Sequence, residues 1–348
     1  MTATLTPSSR EELAEALRSA TAAGTPVDVV GGGTRSRIGR PGPPGELALR
    51  TAGLTQLVAH EPEDLTLTVE AGMPAEEAAA VAARAGQAWP QAQLRPGSTV
   101  GGVLATAASS RARLRAGAVR DSVLQMVVAT GDGRIVTSGG RTVKGVSGFD
   151  LPRLAVGSLG TLGVIVQVTL KLWPVPAARG WFGLEAPLEE RLAAARAALT
   201  GPARPVAVLL TPGRLDIELA GPPADVRAPR GMAEVAEPAS PSGPGLVEAG
   251  VSPARLGDLA RALEADGLAY EARMGVGSCT VAVASADEVA AVRRHAVALG
   301  GHAVVTDGDE ALRADPWGPP PPGVELMRRL RDAFDPAGIL NGRLVPWA

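Results

Sequence analysis

Cysteine is almost missing from this chain of 348 residues, with Cys279 standing alone. A single thiol excludes an internal disulfide, a cysteine-ligated iron–sulfur cluster and a Cys-x-x-Cys redox pair. Histidine is nearly as scarce, occurring only at His60, His295 and His302. No histidine falls within 97–172, and the three are too scattered to make a metal-binding cluster, so no metal is expected and each reads as a solvated or partly buried side chain. Lysine is limited to Lys144 and Lys171, and the charges nearly cancel to a net of −2, which gives no electrostatic case for nucleic acid. No segment approaches the roughly 18 apolar residues of a membrane span, and MTATLTPSSREEL carries no apolar leader core. A cytoplasmic protein without a membrane span is the expectation.

Glycine and proline, by contrast, are abundant, at 43 and 30 residues. The glycines gather at turns, a costly use of a flexible residue unless backbone must approach something closely. PVDVV (26–30) reads as a short strand running into GGGTRSRIG (31–39). There Gly31, Gly32 and Gly33 free backbone N–H groups to curl around an anion, Thr34 and Ser36 add hydroxyls, and Arg35 and Arg37 add charge. A second turn holds Gly97, Ser98, Thr99, Gly101 and Gly102, and leads into a helix start at VLATAAS, with Thr106 inside it. Exposed N–H groups at such a start favour negative charge. Two anion sites of this kind suit a pyrophosphate held from both sides. A nicotinamide-type Gly-x-Gly-x-x-Gly fingerprint is rejected, because that motif must open a helix and RSRIGRPGPPG (35–45) has three prolines and no helical period. Taken singly, each glycine cluster also fits an ordinary tight turn.

A coarse reading gives a helix over 10–23 behind Ser8 and Ser9, strands near 47–50, 56–59 and 65–70, and a helix over 74–85 bounded by Pro74 and Gly86. Residues 124–129 and 134–137 form a hairpin about Asp132-Gly133. In 164–172 the even-numbered Val164, Val166, Val168, Leu170 and Leu172 alternate with Ile165, Gln167, Thr169 and Lys171, the pattern of a strand buried on one face. WPVP (173–176) closes this region. Beyond it come a helix at 188–199, a hairpin at 206–219, and helix, strand, strand, helix, strand over 253–306, which suits a small antiparallel sheet with helices on one face. Residues 221–250 read as an irregular loop and 316–323 as a stiff spacer. The sequence displays no internal repeat.

Six motifs occur in a fixed order: GGGT at 31–34, GG-x-x-A-T at 101–106, Arg120-Asp121 before a strand, Asp132-Gly133, K-x-V-x-G-F-D from Lys144 to Asp150, and GSLGTLGVI at 157–165. Together they resemble the PCMH-type FAD-binding domain of the vanillyl-alcohol-oxidase family, over about residues 20–176. Within that family the chain is similar to the FAD-binding subunits of glycolate oxidases, whose C-terminal tail LRDAFDPAGILNGRL (330–344) also resembles. The resemblance implies an α+β fold: a FAD-binding domain of two α+β subdomains at 1–176, and a smaller α+β antiparallel-sheet cap domain at 177–348 whose tail returns to the first.

It also implies FAD contacts at Gly31, Gly32, Gly33, Thr34, Arg35, Ser36, Gly97, Ser98, Thr99, Gly101, Gly102, Thr106, Gly117, Arg120, Lys144, Gly160, Thr161, Gly163, Val164, Ile165 and Asn341. Some members attach FAD through His or Cys; 31–39 has neither, so non-covalent binding is expected. Lys144, beside Gly145 and Gly148, reads equally as a flavin- or phosphate-side charge and as a strand-edge lysine, and Arg120-Asp121 as an ion pair supporting its loop. Phe149 stands where the family often has tyrosine, which removes a hydroxyl from acid–base work. The catalytic residues are left unassigned. By resemblance the partners are a FAD-containing catalytic subunit with clustered histidines and an iron–sulfur subunit at the inner face of the membrane, and the substrate is a small 2-hydroxy acid, glycolate. A stand-alone FAD-dependent 2-hydroxy-acid dehydrogenase and a non-catalytic scaffold are the alternatives.

Overall fold

The computed structural model describes residues 2–140, 150–342 and 344–345. Lys144, Gly145, Gly148 and Phe149 lie outside the described residues. The first helix follows its sequence signals closely. Ser9, in extended backbone, accepts a hydrogen bond from Glu12 N at 3.1 Å, and Gly24 ends the helix in the left-handed region at φ 65. Leu13, Ala14, Leu17 and Ala20 of this helix, α1 (Arg10–Ala23), fall on one stripe and are buried.

Three small sheets, with helices between their strands, make up the rest of the first half of the chain. Strand β1 (Ala3–Leu5), with β2 (Val27–Val30) and β3 (Leu47–Arg50), makes a parallel sheet in the order β1-β3-β2. Strands β4 (Leu57–Glu61) and β5 (Thr66–Glu70) precede helix α2 (Ala75–Arg84) and the short β6 (Gln87–Ala88). Next come α3 (Val100–Ala105), α4 (Arg113–Ala116), β7 (Val123–Ala129), β8 (Ile135–Gly139), α5 (Leu151–Ala155), β9 (Val164–Lys171) and β10 (Trp173–Pro174). Five of these strands form an antiparallel sheet in the order β4-β5-β9-β7-β8, while β10 pairs with β6.

The central strand β9 departs from the one-sided burial that its alternation predicts, for Ile165 and Thr169 are buried as well. The cause is a bulge. Val127 pairs with Gln167 but Val128 pairs with Ile165, so Val166 is the extra residue. One inserted residue flips the side chains beyond it to the other face. Val164 and Val166 therefore enter the core beneath α1 with Leu13, Leu17 and Leu49, whereas Val168, Leu170 and Leu172 join the core of α2 and α3.

The second half is built on an eight-stranded antiparallel sheet, larger than the small sheet expected. Its members are β11 (Ala178–Glu185), β12 (Ala207–Thr211), β13 (Arg214–Gly221), β14 (Ala233–Val235), β15 (Gly245–Gly250), β16 (Tyr270–Arg273), β17 (Ser278–Val283) and β18 (His302–Asp307), in the order β14-β11-β13-β12-β16-β17-β15-β18. Helices α6 (Leu188–Thr200), α7 (Leu256–Ala265) and α8 (Ala286–Ala298) bury leucines and valines against it. The segment 221–250 is thus not simply a loop, since β14 and β15 lie within it.

The sheet order reads the same from either end. β11-α6-β12-β13 and β15-α7-β16-β17 are equivalent units that meet at the β12–β16 pair, with β14 and β18 as outer strands. This internal duplication is absent from the sequence because the matching requirement is only an apolar period, which many residue choices satisfy. Helix α8 has no counterpart; between β13 and β14, Val226 and Met232 pack on the core instead.

The chain returns at its end to the first half. After α9 (Val324–Phe334), Val27 N donates to Ile339 O at 2.8 Å and Asn341 N donates to Val27 O at 3.0 Å, so the tail runs along β2. Between the halves, Arg111 donates through Nε to Glu271 Oε2 at 3.1 Å and through Nη1 to Pro238 O at 2.7 Å. No helix among the described residues is long and apolar enough to cross a membrane.

Inside the second core, Arg191 is only 2% exposed and reaches Ala186 O at 2.8 Å, Thr211 O at 2.5 Å and Glu264 Oε1 at 2.9 Å, while the Tyr270 hydroxyl also donates to Glu264 at 2.8 Å. Removing one partner of a buried pair strands the other charge at a cost of about 3–5 kcal/mol. Glu264→Ala is expected to lower the unfolding free energy in urea by about that amount, and Arg191→Met with Glu264→Leu to recover most of it. A loss of a few tenths of a kcal/mol for Glu264→Ala would show that the pair contributes nothing.

Candidate functional site

The candidate site is built where β2 ends, and its first wall is the loop 31–36. A Cβ on Gly31 would stand 2.4 Å from Thr99 Oγ1, and one on Gly32 would stand 1.8 Å from the Gly97 carbonyl oxygen. Glycine is required here because the first loop lies backbone against backbone on the second. Gly33 differs: its φ is +71 and the space beyond its missing Cβ is open. Among the described residues the N–H groups of Gly33 and Thr34 donate to no protein acceptor, which leaves them to the cleft.

The second loop behaves differently from the expectation of an open helix start. At α3 Val100 N donates to Met73 O at 2.9 Å, Gly101 N to Ala71 O at 2.7 Å, and Gly102 N to the capping Thr99 Oγ1 at 3.1 Å. The first turn is therefore satisfied by protein, and the expected second anion site at the helix start is corrected. Gly101 is glycine because a Cβ would come within 2.9 Å of the Ala71 Cβ. Ser98, 1% exposed, holds its own turn by donating to Arg95 O at 2.7 Å.

A third loop, 157–163, closes the opposite wall. Leu159 and Gly160 both take positive φ, at 56 and 74. Asn341, from the chain's far end, accepts from Val29 N at 2.9 Å and donates to Leu159 O at 2.7 Å. A Cβ on Gly160 would meet its Nδ2 at 2.7 Å. Asn341 thus ties the strand, the third loop and the tail into one frame.

These loops border an open cleft of about 1030 Å³, open solvent included. Of the residues expected on sequence grounds, the cleft brings together Gly31, Gly32, Gly33, Thr34, Arg35, Ser36, Thr99, Gly101, Gly102, Thr106, Gly160, Gly163, Val164, Ile165 and Asn341. Gly97, Ser98 and Thr161 sit in the wall-forming loops behind the lining, with the Thr161 hydroxyl donating to Ser158 O at 2.7 Å. Gly117 and Arg120 are also outside the lining. There Asp121 accepts from Ala118 N at 2.9 Å and lies 3.8 Å from Arg120, which is the loop-supporting arrangement weighed above. Lys144 lies outside the described residues.

Sequence reading passed over Asp28, Thr51, Leu159 and Leu344, all of which line the cleft. Asp28 offered a signal, being a carboxylate inside the apolar run PVDVV; it accepts from Gly45 N at 2.8 Å. Thr51 and Leu344 offered none, since only folding carries them to β2.

Among the described residues the cleft is lined by one arginine, Arg35, and one carboxylate, Asp28. Burial and the neighbouring Arg95 hold Arg35 below the ordinary arginine value, at about 10. The histidines are elsewhere: His60 faces Gln87 at 3.2 Å, His295 faces Asp266 at 2.7 Å, and His302 is on β18. Neither histidine nor cysteine lines the cleft. Free backbone donors, an open Gly33 and the lining Arg35 fit a diphosphate-bearing dinucleotide.

Because Gly32 is a packing glycine, Gly32→Ala is expected to separate the two loops, lowering both Tm and dinucleotide affinity. Gly33→Ala meets open space and carries only the left-handed backbone penalty of roughly 1–2 kcal/mol. Parallel thermal melts and flavin titrations should rank Gly32→Ala as the more damaging; equal behaviour would mean the loops are not held by that contact.

Residues 1–139 match the model of the FAD binding domain family. Over 184 residues the chain is 33% identical to glycolate oxidase subunit GlcE of Escherichia coli, covering 52% of each protein. It is 34% identical over 168 residues to D-lactate dehydrogenase of Archaeoglobus fulgidus, covering 48% of this chain and 38% of that one. The chain therefore spans about half or less of these relatives. In fold it is similar to an alkyldihydroxyacetonephosphate synthase structure, with a TM-score of 0.69 at 16% identity, over 98% of this chain and 76% of the other. The first two glycine loops lie within residues 1–139, the stretch that matches the FAD binding domain model, and FAD is the cofactor.

Proposed function

We propose that this chain is a non-covalent FAD-binding subunit of a glycolate oxidase assembly, supporting the oxidation of glycolate to glyoxylate while electrons pass to an iron–sulfur partner. The observation that carries the reading is the cleft framed by the three glycine loops, lined among the described residues by neither histidine nor cysteine, joined to the likeness to a glycolate oxidase subunit over half of each chain. In this reading 1–176 hold the cofactor and 177–348 form the cap, with Arg111 fastening one to the other through Glu271.

When bound, FAD supplies the two-electron acceptor for a 2-hydroxy acid. The chain's own residues bind and orient it. The Gly33 and Thr34 N–H groups would hold the diphosphate and Arg35 would balance its charge, while Asn341 keeps the third loop in place without itself changing protonation. Removing the substrate hydroxyl proton needs a base, and among the described residues the cleft lining contains one carboxylate, Asp28, already engaged with Gly45 N. That lack supports a supporting role beside a catalytic partner. The likeness to D-lactate dehydrogenase favours a second reading, a stand-alone FAD-dependent dehydrogenase of a small 2-hydroxy acid.

Purified protein is expected to be yellow and to release intact FAD into the supernatant on acid precipitation; flavin in the pellet would overturn non-covalent binding. Anaerobic stopped-flow mixing of the isolated chain with glycolate or D-lactate is expected to bleach the flavin band slowly or not at all. Rapid, complete bleaching by either acid would replace the accessory reading with the stand-alone dehydrogenase.

A further inference from the structure

Strand β14 ends at Val235 and β15 begins at Gly245, yet the two lie six positions apart in the sheet. At ~4.8 Å per strand the gap is about 29 Å. Residues 236–244 cross it, and polyproline II backbone, rising ~3.1 Å per residue, covers about 31 Å over that run. The composition suits such a backbone, because Pro238, Pro241 and Pro244 recur at its three-residue period. The segment is thus a strap drawn across the sheet, on the face opposite α6, α7 and α8, where Glu271 lies.

Arg111 pins this strap. Its Nη1 donates to Glu237 Oε1 at 3.2 Å and to Pro238 O at 2.7 Å, its Nη2 to Ser240 Oγ at 3.1 Å and to Glu271, and its Nε to Glu271 Oε2 at 3.1 Å. These contacts use all five N–H donors of a guanidinium. Arg111 belongs to the first half of the chain and follows the cleft-lining Ala105 and Thr106 closely. The same stretch holds the third loop. Gly157 N donates to Leu104 O at 3.0 Å and Leu159 N to Ala105 O at 2.8 Å, while Ala107, at φ 50, stands where a Cβ on Gly157 would meet its own at 3.3 Å. One run of chain therefore lines the cleft, bonds its far wall and anchors the strap.

We propose that Arg111 is a positioning residue that couples occupation of the dinucleotide cleft to the seating of the second half, with the strap as its latch. The proposal rests on the FAD reading of the cleft and goes beyond it. The latch has two states because Glu271 is only 3% exposed, so that losing Arg111 strands a buried carboxylate unless the sheet face opens to water. A dinucleotide that steadies 104–106 and the third loop holds Arg111 in register and favours the latched state. By reciprocity the latched state favours the dinucleotide by the same factor.

The test uses the full chain, with and without FAD, and follows elastase nicking after Ala236 and Ala239 by mass spectrometry; the strap must leave the sheet before a protease can take it. No strap residue lines the cleft, so FAD cannot shield these bonds directly. FAD is expected to slow nicking of the wild type at least about fivefold. Arg111→Met is expected to speed nicking, to abolish the effect of FAD on it and to weaken FAD by a similar factor in a fluorescence titration, with Arg111→Lys between the two. Should Arg111→Met melt too low to use, Ser240→Ala removes one strap contact and is expected to shift both readouts in the same direction by less. Nicking that is insensitive to FAD in the wild type, or faster nicking in Arg111→Met with wild-type FAD affinity, would reduce Arg111 to a structural tie and overturn the coupling while leaving the FAD reading intact. A wild-type chain that takes up no FAD would overturn both.

Discussion

The contact on which the rest of the site depends is that of Gly32 with the Gly97 carbonyl, where a Cβ would intrude to 1.8 Å. Main chain meets main chain there, so the separation of the two loops is set by backbone thickness and not by adjustable side chains. This rigid spacing fixes the width of one wall and presents the free N–H groups of Gly33 and Thr34 on a defined surface. The opposite wall is positioned by Asn341, which bonds Val29 N and Leu159 O at 2.9 Å and 2.7 Å. A cleft framed by backbone contacts and one amide side chain needs little reorganisation to receive a ligand, which is the physical content of preorganisation.

An ion pair joins the two halves of the chain, at a face of the second sheet rich in buried carboxylates. One face of the eight-stranded sheet carries Asp216, Glu218 and Glu271 in nearly complete burial, and each has an arginine beside it. Arg214 bonds Asp216 at 2.8 Å, Arg179 pairs with Glu218, and Arg111 crosses from the first half to Glu271. Burial alone raises the Asp216 carboxyl, and Arg214 opposes the shift. Of these pairs Arg111–Glu271 joins the two halves and favours one mutual orientation, because a slip would leave the buried Glu271 unmatched. The hydrophobic cores of the sheets, by comparison, would tolerate small sliding.

Much of the local architecture is written in short-range signals. The Ser9 cap and Gly24 terminus of α1, the Gly133 turn between β7 and β8, and the hairpin of β12 and β13 follow from residues within a few positions of one another. The glycine loops were legible for the same reason, as was the FAD domain they announce, since ordered motifs preserve the backbone conformations a dinucleotide needs. The purpose of individual glycines was not. Gly32 and Gly101 look alike in sequence to Gly33, yet two face neighbouring chain and one faces open space.

What the sequence by itself determined is therefore the set of elements, the α+β class, and the backbone freedom at 31–33, 97–102 and 157–163, because these depend on propensity, period and the absence of a Cβ. Only the tertiary structure decided which N–H groups stay free. The start of α3 is quenched by Met73 and Ala71, residues more than twenty positions upstream. The bulge at Val166 likewise divides a regular alternation between two cores, and the duplicated sheet arises from strand order that no local pattern encodes. Asn341 reaches the cleft only because the tail pairs with β2. Each of these outcomes rests on contacts between residues far apart in the chain, whose partners the local sequence does not name.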